Sequence, residues 1–268
     1  MHLTFTLRGT WKSAAHTEAQ LSNPQPRNLL LITLIALTVE GACMFPRGQR
    51  YRDFTTPTPL PQGQTLILGF LGGREPWNNN DRNVRKLALK LRSLNDPDIH
   101  IETVENKKRA LAIQLITAAF DRNRDGKLDD KERRAIRLII YGQSFGGAAV
   151  VKLATQLKQI GVPVALTVQV DSVGRGDSVI PSNVSRAANL FQKNGWFIRG
   201  EPEIRPEDPM KTTILGNYKY DYSHKPIDIS GVPFMKKVFR IAHTRMEYDP
   251  DVWTKVEELI LDSIRKLR

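Results

Sequence analysis

From Gln64 to the C-terminus, short apolar runs alternate with longer amphipathic stretches, and few folds accept that order. Residues 65–70 (TLILGF) are almost wholly apolar and end in Leu71-Gly72-Gly73, as a strand buried on both faces and its turn should. Residues 98–104 (DIHIETV), 136–141 (IRLIIY), 162–170 (VPVALTVQV) and 237–242 (KVFRIA) read as further strands. Between them Asp81 can cap a helix whose apolar positions are Val84, Leu87, Leu91 and Leu94. A second helix over 107–120 sets Leu111, Leu115 and Ala118 on one face, and a third spans 145–160. A last helix, 251–267, turns Val256, Leu259, Ile260 and Ile264 inward. The order predicts an α/β fold: a mostly parallel central sheet with helices on both faces. Residues 174–235, rich in Pro, Gly and Asp, give no clear elements and read as an irregular insertion that carries substrate selectivity. No internal repeat is visible.

The sequence ahead of this region has a different character. Residues 1–44 form a tail in which 29–39 (LLLITLIALTV) carries no charge. That run is shorter than the roughly 20 residues a spanning helix needs, and it has the length of a signal-peptide core. Arg27 before it and Gly41-Ala42 after it fit such a signal, whereas the long polar lead and Glu40 do not. Cys43 stands where a lipid-bearing cysteine could. Export to a periplasmic, envelope-associated or secreted location is the expectation, with a buried apolar segment as the alternative. Residues 45–63, rich in Pro, Thr and Gln, read as a linker to a domain over 64–268. A single cysteine excludes an internal disulfide framework and a cysteine-based metal site. The net charge of +12 is spread along the chain. No nucleic-acid-binding motif accompanies it, so no specific nucleic-acid partner is expected, while association with a membrane surface stays open.

The strand at 136–141 runs into Gly142-Gln143-Ser144-Phe145-Gly146, followed by Gly147, Ala148 and Ala149. A Gly-x-Ser-x-Gly pentapeptide is common, but a preceding apolar strand and a following helix of small residues give it meaning. A serine on so sharp a strand-to-helix turn needs small neighbours and presents its hydroxyl at the carboxyl edge of the sheet. The alternative is a serine that merely caps the helix.

With this segment the chain resembles the α/β-hydrolase superfamily over residues 64–268, in the order of its elements rather than in close identity. The resemblance implies an α/β-hydrolase fold and a triad in the chain order serine, acid, histidine. Ser144 is then the nucleophile. His243, between the last apolar run and the C-terminal helix, is the general base; His224 is the competitor. Asp171, ending the strand after the nucleophile's helix, is the preferred acid, a position similar to that of the pancreatic-lipase branch. Asp208, Asp221 and Asp228 are the candidates if the acid follows one strand later, as in most members. The resemblance places the oxyanion donors at the backbone N–H of Phe145 and of Phe70 or Leu71.

Residues 121–132 (DRNRDGKLDDKE) match an EF-hand calcium loop place by place. Asp121, Asn123 and Asp125 take places one, three and five, and Gly126 makes the turn. Lys127 offers its carbonyl at seven, Asp129 a direct or water-mediated contact at nine, and Glu132 a carboxylate at twelve. Only about one helical turn follows, and no second loop pairs with it, so a modest affinity for Ca²⁺ is expected. The strand to Ser144 separates the loop from the nucleophile, which makes the ion structural. A charged surface loop with a capping Asp is the alternative.

Together these features predict a serine hydrolase that cleaves acyl esters, of lipids or other compounds, through an acyl-enzyme. Thioesterase, acyltransferase or peptidase chemistry on the same triad, and a non-catalytic calcium-stabilised binding protein, are the alternatives.

Overall fold

A computed structural model describes residues 48–195, 199–231 and 241–268. The apolar run at 29–39 and Cys43 lie outside the described residues, as does most of the strand expected at 237–242. Among the described residues six strands make the central sheet, in the order β2-β1-β3-β4-β6-β8, and every neighbouring pair is parallel. They are β1 (Thr65–Leu71), β2 (Ile99–Glu105), β3 (Leu138–Gln143), β4 (Val164–Val170), β6 (Val184–Gln192) and β8 (Thr213–Tyr220). Two short strands, β5 (Val179–Ile180) and β7 (Arg205–Pro206), pair with each other apart from it. This is an α/β fold consistent with the α/β-hydrolase arrangement.

The pleat explains the two cores. Leu66, Leu68 and Phe70 of β1 join Leu138 and Ile140 of β3 on one face. There they meet α2 (Arg109–Phe120) and α4 (Phe145–Gln159) through Leu115, Ile116, Val150 and Leu153. Ile67, Leu71, Ile139 and Tyr141 face the other way, onto α1 (Asn83–Arg92) and α6 (Pro250–Leu267). Such alternation requires helices on both sides, because each face exposes a continuous apolar surface that only an amphipathic helix can cover. The described residues also hold two short α-helices, α3 (Asp130–Ala135) and α5 (Ile241–Tyr248). Among the described residues no helix is long and apolar enough to cross a membrane.

Several expectations shift. Leu94 lies past the end of α1 and is exposed. The buried stripe of α2 is Ala112, Leu115, Ile116 and Ala119, turned by one residue from the face expected, so Leu111 and Ala118 are only half-buried. The third strand starts at Leu138, because Ile136 still belongs to the end of α3. Residues 174–235 are more regular than their composition suggests, since they supply β6 and β8 to the sheet. Ile241 and Ala242, the last two residues of the strand expected at 237–242, belong with His243 to α5; the rest of that strand lies outside the described residues.

The stretch read as a linker is, from residue 48 on, bound to the domain. Gln49 donates from Nε2 to the carbonyl of Thr103 (2.8 Å) and accepts the N–H of Glu105 at Oε1 (3.2 Å). Thr55 and Thr56 each give their N–H and hydroxyl to Glu102 Oε1, at 2.6–3.0 Å. Leu60 is buried in the core and bonds to the end of α2. Pro-rich composition signals an extended chain, and an extended chain can be docked as well as free.

Candidate active site

Ser144 sits at φ 58° and ψ −124°, between the last residue of β3 and the first of α4. A non-glycine residue with positive φ is strained, by about 1–3 kcal/mol, and survives only where its surroundings over-determine it. Those surroundings are explicit. The N–H of Ser144 bonds to the carbonyl of Val170, and its own carbonyl accepts the N–H groups of Gly147 and Val173. At Gly146 a Cβ would lie 2.1 Å from the carbonyl oxygen of Phe70, so the turn closes only over glycine. The Ser144 side chain makes no capping bond to the helix it begins, which argues against the capping reading. Phe145, next along, is 49% exposed although it is large and apolar.

Asp171 stands one residue past β4, also at positive φ (43°), and is fully buried. His243 is 6% exposed and donates from Nδ1 to Asp171 Oδ2 at 2.6 Å. With Nδ1 committed as a donor, Nε2 is free to accept; it receives the Gln143 amide at 3.4 Å. Gln192, buried on β6, donates to the same carboxylate oxygen at 3.2 Å and accepts the N–H of Gly195 through its own Oε1. A carboxylate is thus held against an imidazole in a dry setting, with the imidazole in the tautomer a general base requires.

Of the sequence candidates, Asp171 and His243 meet at one place beside the Ser144 turn. Asp208, Asp221 and Asp228 bond to their own loops, through the N–H groups of Met210, Ser223 and Ser230. That backbone bond is the main reason the Asp221 carboxyl is pulled down to about 2. His224 is exposed. Phe70 and Leu71 are the last two residues of β1 and remain within the ladder. Gln143 and Gln192 were not foreseen. Their one signal is position, since each ends a strand at the carboxyl edge.

The acidic loop lies elsewhere, at the amino end of β3. Six residues of strand separate it from Ser144, or about 20 Å at 3.3 Å per residue. Its acids are turned on their own backbone. Asp121, buried, accepts the N–H groups of Asp125 (3.2 Å) and Gly126 (2.8 Å). Asn123 accepts from Asp125, and Asp125 from Lys127, at 2.9 Å each. Asp129 caps α3 by accepting the N–H of Glu132, whose carboxylate returns to Asp129, Arg122 and Asn123. Among the described residues no three acidic, His or Cys side chains converge on a metal position. The donors are all oxygens, the chemistry Ca²⁺ takes, and Gly126 adopts the positive φ (81°) the turn needs. Glu132, however, must release Arg122 and Asn123 before it can chelate.

No family model and no curated protein matches the chain. Among solved structures it is similar to an uncharacterized protein from Pseudomonas aeruginosa, at 13% identity and a TM-score of 0.38. That match covers 74% of this chain, which spans only 44% of the other. It is also similar to RedJ with a PEG molecule bound in its active site, at 9% identity and a TM-score of 0.34, covering 68% and 88% of the two chains. Likenesses this slight carry no argument about chemistry.

Proposed function

We propose that the chain is a serine hydrolase of the α/β-hydrolase superfamily, cleaving acyl esters through an acyl-enzyme. The observation that carries this reading is the buried 2.6 Å bond from His243 Nδ1 to Asp171, set at the sheet edge beside a serine at positive φ. Ser144 Oγ attacks the ester carbonyl as His243 Nε2, released from the Gln143 amide, takes its proton, and Asp171 stabilises the imidazolium that forms. The N–H of Phe145, at the positive end of α4, and a second donor from the end of β1 receive the developing negative charge. Collapse expels the alcohol, which takes the proton back from His243. Water then attacks the acyl-enzyme by the same route, releasing the acid. The exposed ring of Phe145 offers apolar surface beside the nucleophile, which suits an acyl chain, including that of a lipid.

The 121–132 loop is proposed to hold a structural Ca²⁺ through Asp121, Asn123, Asp125, the Lys127 carbonyl, Asp129 and Glu132. The ion would brace the α2–β3 connection and supply no charge to the reacting atoms. Export of the protein is proposed on the 29–39 run alone.

Fluorophosphonate labelling of the full chain tests the catalytic reading. Wild type is expected to label, and Ser144→Ala and His243→Ala to lose labelling while remaining folded by circular dichroism. A folded wild type that fails to label, with and without calcium, favours the non-catalytic binding protein instead.

A further inference from the structure

β2 ends at Glu105, and the next residue, Asn106, is 8% exposed. Its side-chain NH₂ group spans two carbonyls of the neighbouring turn, bonding to Leu71 at 3.0 Å and to Gly73 at 2.6 Å. This is the turn in which β1 runs out beside the nucleophile. A trans peptide points its C=O and the following N–H in opposite directions. Drawing the Leu71 carbonyl toward Asn106 therefore aims the N–H of Gly72 the other way, and the Gly73 carbonyl does the same for Arg74.

Gly72 packs directly on the nucleophile's turn. A Cβ there would lie 3.2 Å from Ser144 Cβ, 2.7 Å from Gln143 Oε1 and 3.1 Å from the Gln143 carbonyl. Phe70, by contrast, is flanked within the sheet by Val104 and Gly142, and Leu71 still pairs with Glu105. We infer that Asn106 is a positioning residue of the reaction: it aims the Gly72 N–H, rather than that of Phe70 or Leu71, at the developing oxyanion. This rests on the serine-hydrolase reading above. The residue type follows from the task. Two acceptors side by side need two protons from one compact group; a primary amide has both, a hydroxyl has one, and an ionised carboxylate has none.

The test compares the full-length wild type with Asn106→Asp and Asn106→Ala. It uses the rate of fluorophosphonate labelling and steady-state hydrolysis of p-nitrophenyl acetate, with circular dichroism to establish folding. The phosphonyl oxygen of the probe occupies the oxyanion position, so its labelling rate reads the same donors. Both variants are expected to label about 10- to 100-fold more slowly, with kcat reduced by a similar factor and KM within about twofold. The Asp variant keeps the side-chain shape and carries the test if the Ala variant does not fold. Its deficit relative to wild type shrinks as pH falls, because a protonated carboxyl regains one donor. A folded variant that labels at the wild-type rate overturns the assignment and leaves the hydrolase reading standing. So does a loss that appears in KM with kcat unchanged. Failure of the wild type itself to label overturns the hydrolase reading, and this assignment with it.

Discussion

Among the described residues, the two hydrogen bonds that the Asp171 carboxylate accepts, from His243 and Gln192, both fall on Oδ2, and Oδ1, equally buried, has no partner. Gly200 occupies the space beside that oxygen, where a Cβ would stand 2.1 Å from it. The carboxylate is therefore steered by bonds on one side and by close packing on the other. Gly200→Ala is expected to push it off the imidazole and slow labelling at least about tenfold. Gly231→Ala, where a Cβ meets open space, should leave the rate unchanged. Asp171→Asn keeps the size but offers Nδ1 the wrong partner, and should cut kcat by about 10⁴-fold with the fold intact by circular dichroism. Ser144 was legible in the sequence because a strand, a glycine-flanked turn and a small-residue helix must all coincide to build its turn. Asp171 was legible because it directly follows a strong apolar strand. Gln143, Gln192 and Asn106 were not. A polar amide at a strand end looks like any other, and only the fold decides which carboxylate, imidazole or carbonyl it meets.

Elements show where periodicity runs out. β6 (VSRAANLFQ) and β8 (TILGNYKY) mix polar and small residues, so neither gives the continuous apolar run that marked β1 and β3. His243 was reached by chain order, although its element proved to be a helix. That helix is tied down at its far end. Asp249, fully buried, accepts the Tyr222 hydroxyl (2.9 Å) and the Lys225 ammonium (2.7 Å) while capping α6. Burial, and then the Asp249 carboxylate, push the Tyr222 hydroxyl well above its usual value. Tyr222→Phe should cost about 2 kcal/mol near neutral pH, read by urea unfolding. The folded hydroxyl stays protonated while the unfolded one ionises near pH 10, so its contribution is whole below about pH 10 and fades above it. The gap between wild type and variant should narrow accordingly in alkali. In the acidic loop, Ca²⁺ should raise the melting temperature of wild type but not of Glu132→Gln, with chelator reversing the gain. Turnover at 25 °C should stay nearly constant in both, because the loop lies at the opposite end of β3 from Ser144.

Over the whole molecule, residues 48–268 form one compact unit, so the boundary expected at Gln64 falls inside it. A chain begun at Gln64 loses Leu60 from the core and strips four bonds from Glu102, itself 1% exposed. The two losses together amount to about 3 kcal/mol or more, a fall in melting temperature of roughly 6–12 °C relative to a chain begun at residue 48. Differential scanning calorimetry of the two chains measures it. Gln49 has an effect of another kind. Its side-chain amide accepts the N–H of Glu105 and donates to the carbonyl of Thr103, so it takes the two bonds that the backbone N–H and C=O of a further strand would make there. Exposed strand borders recruit foreign chains through such unsatisfied groups. At β2 a single side chain, with no backbone to extend the ladder, takes these two, and a stray extended segment finds no register there to join.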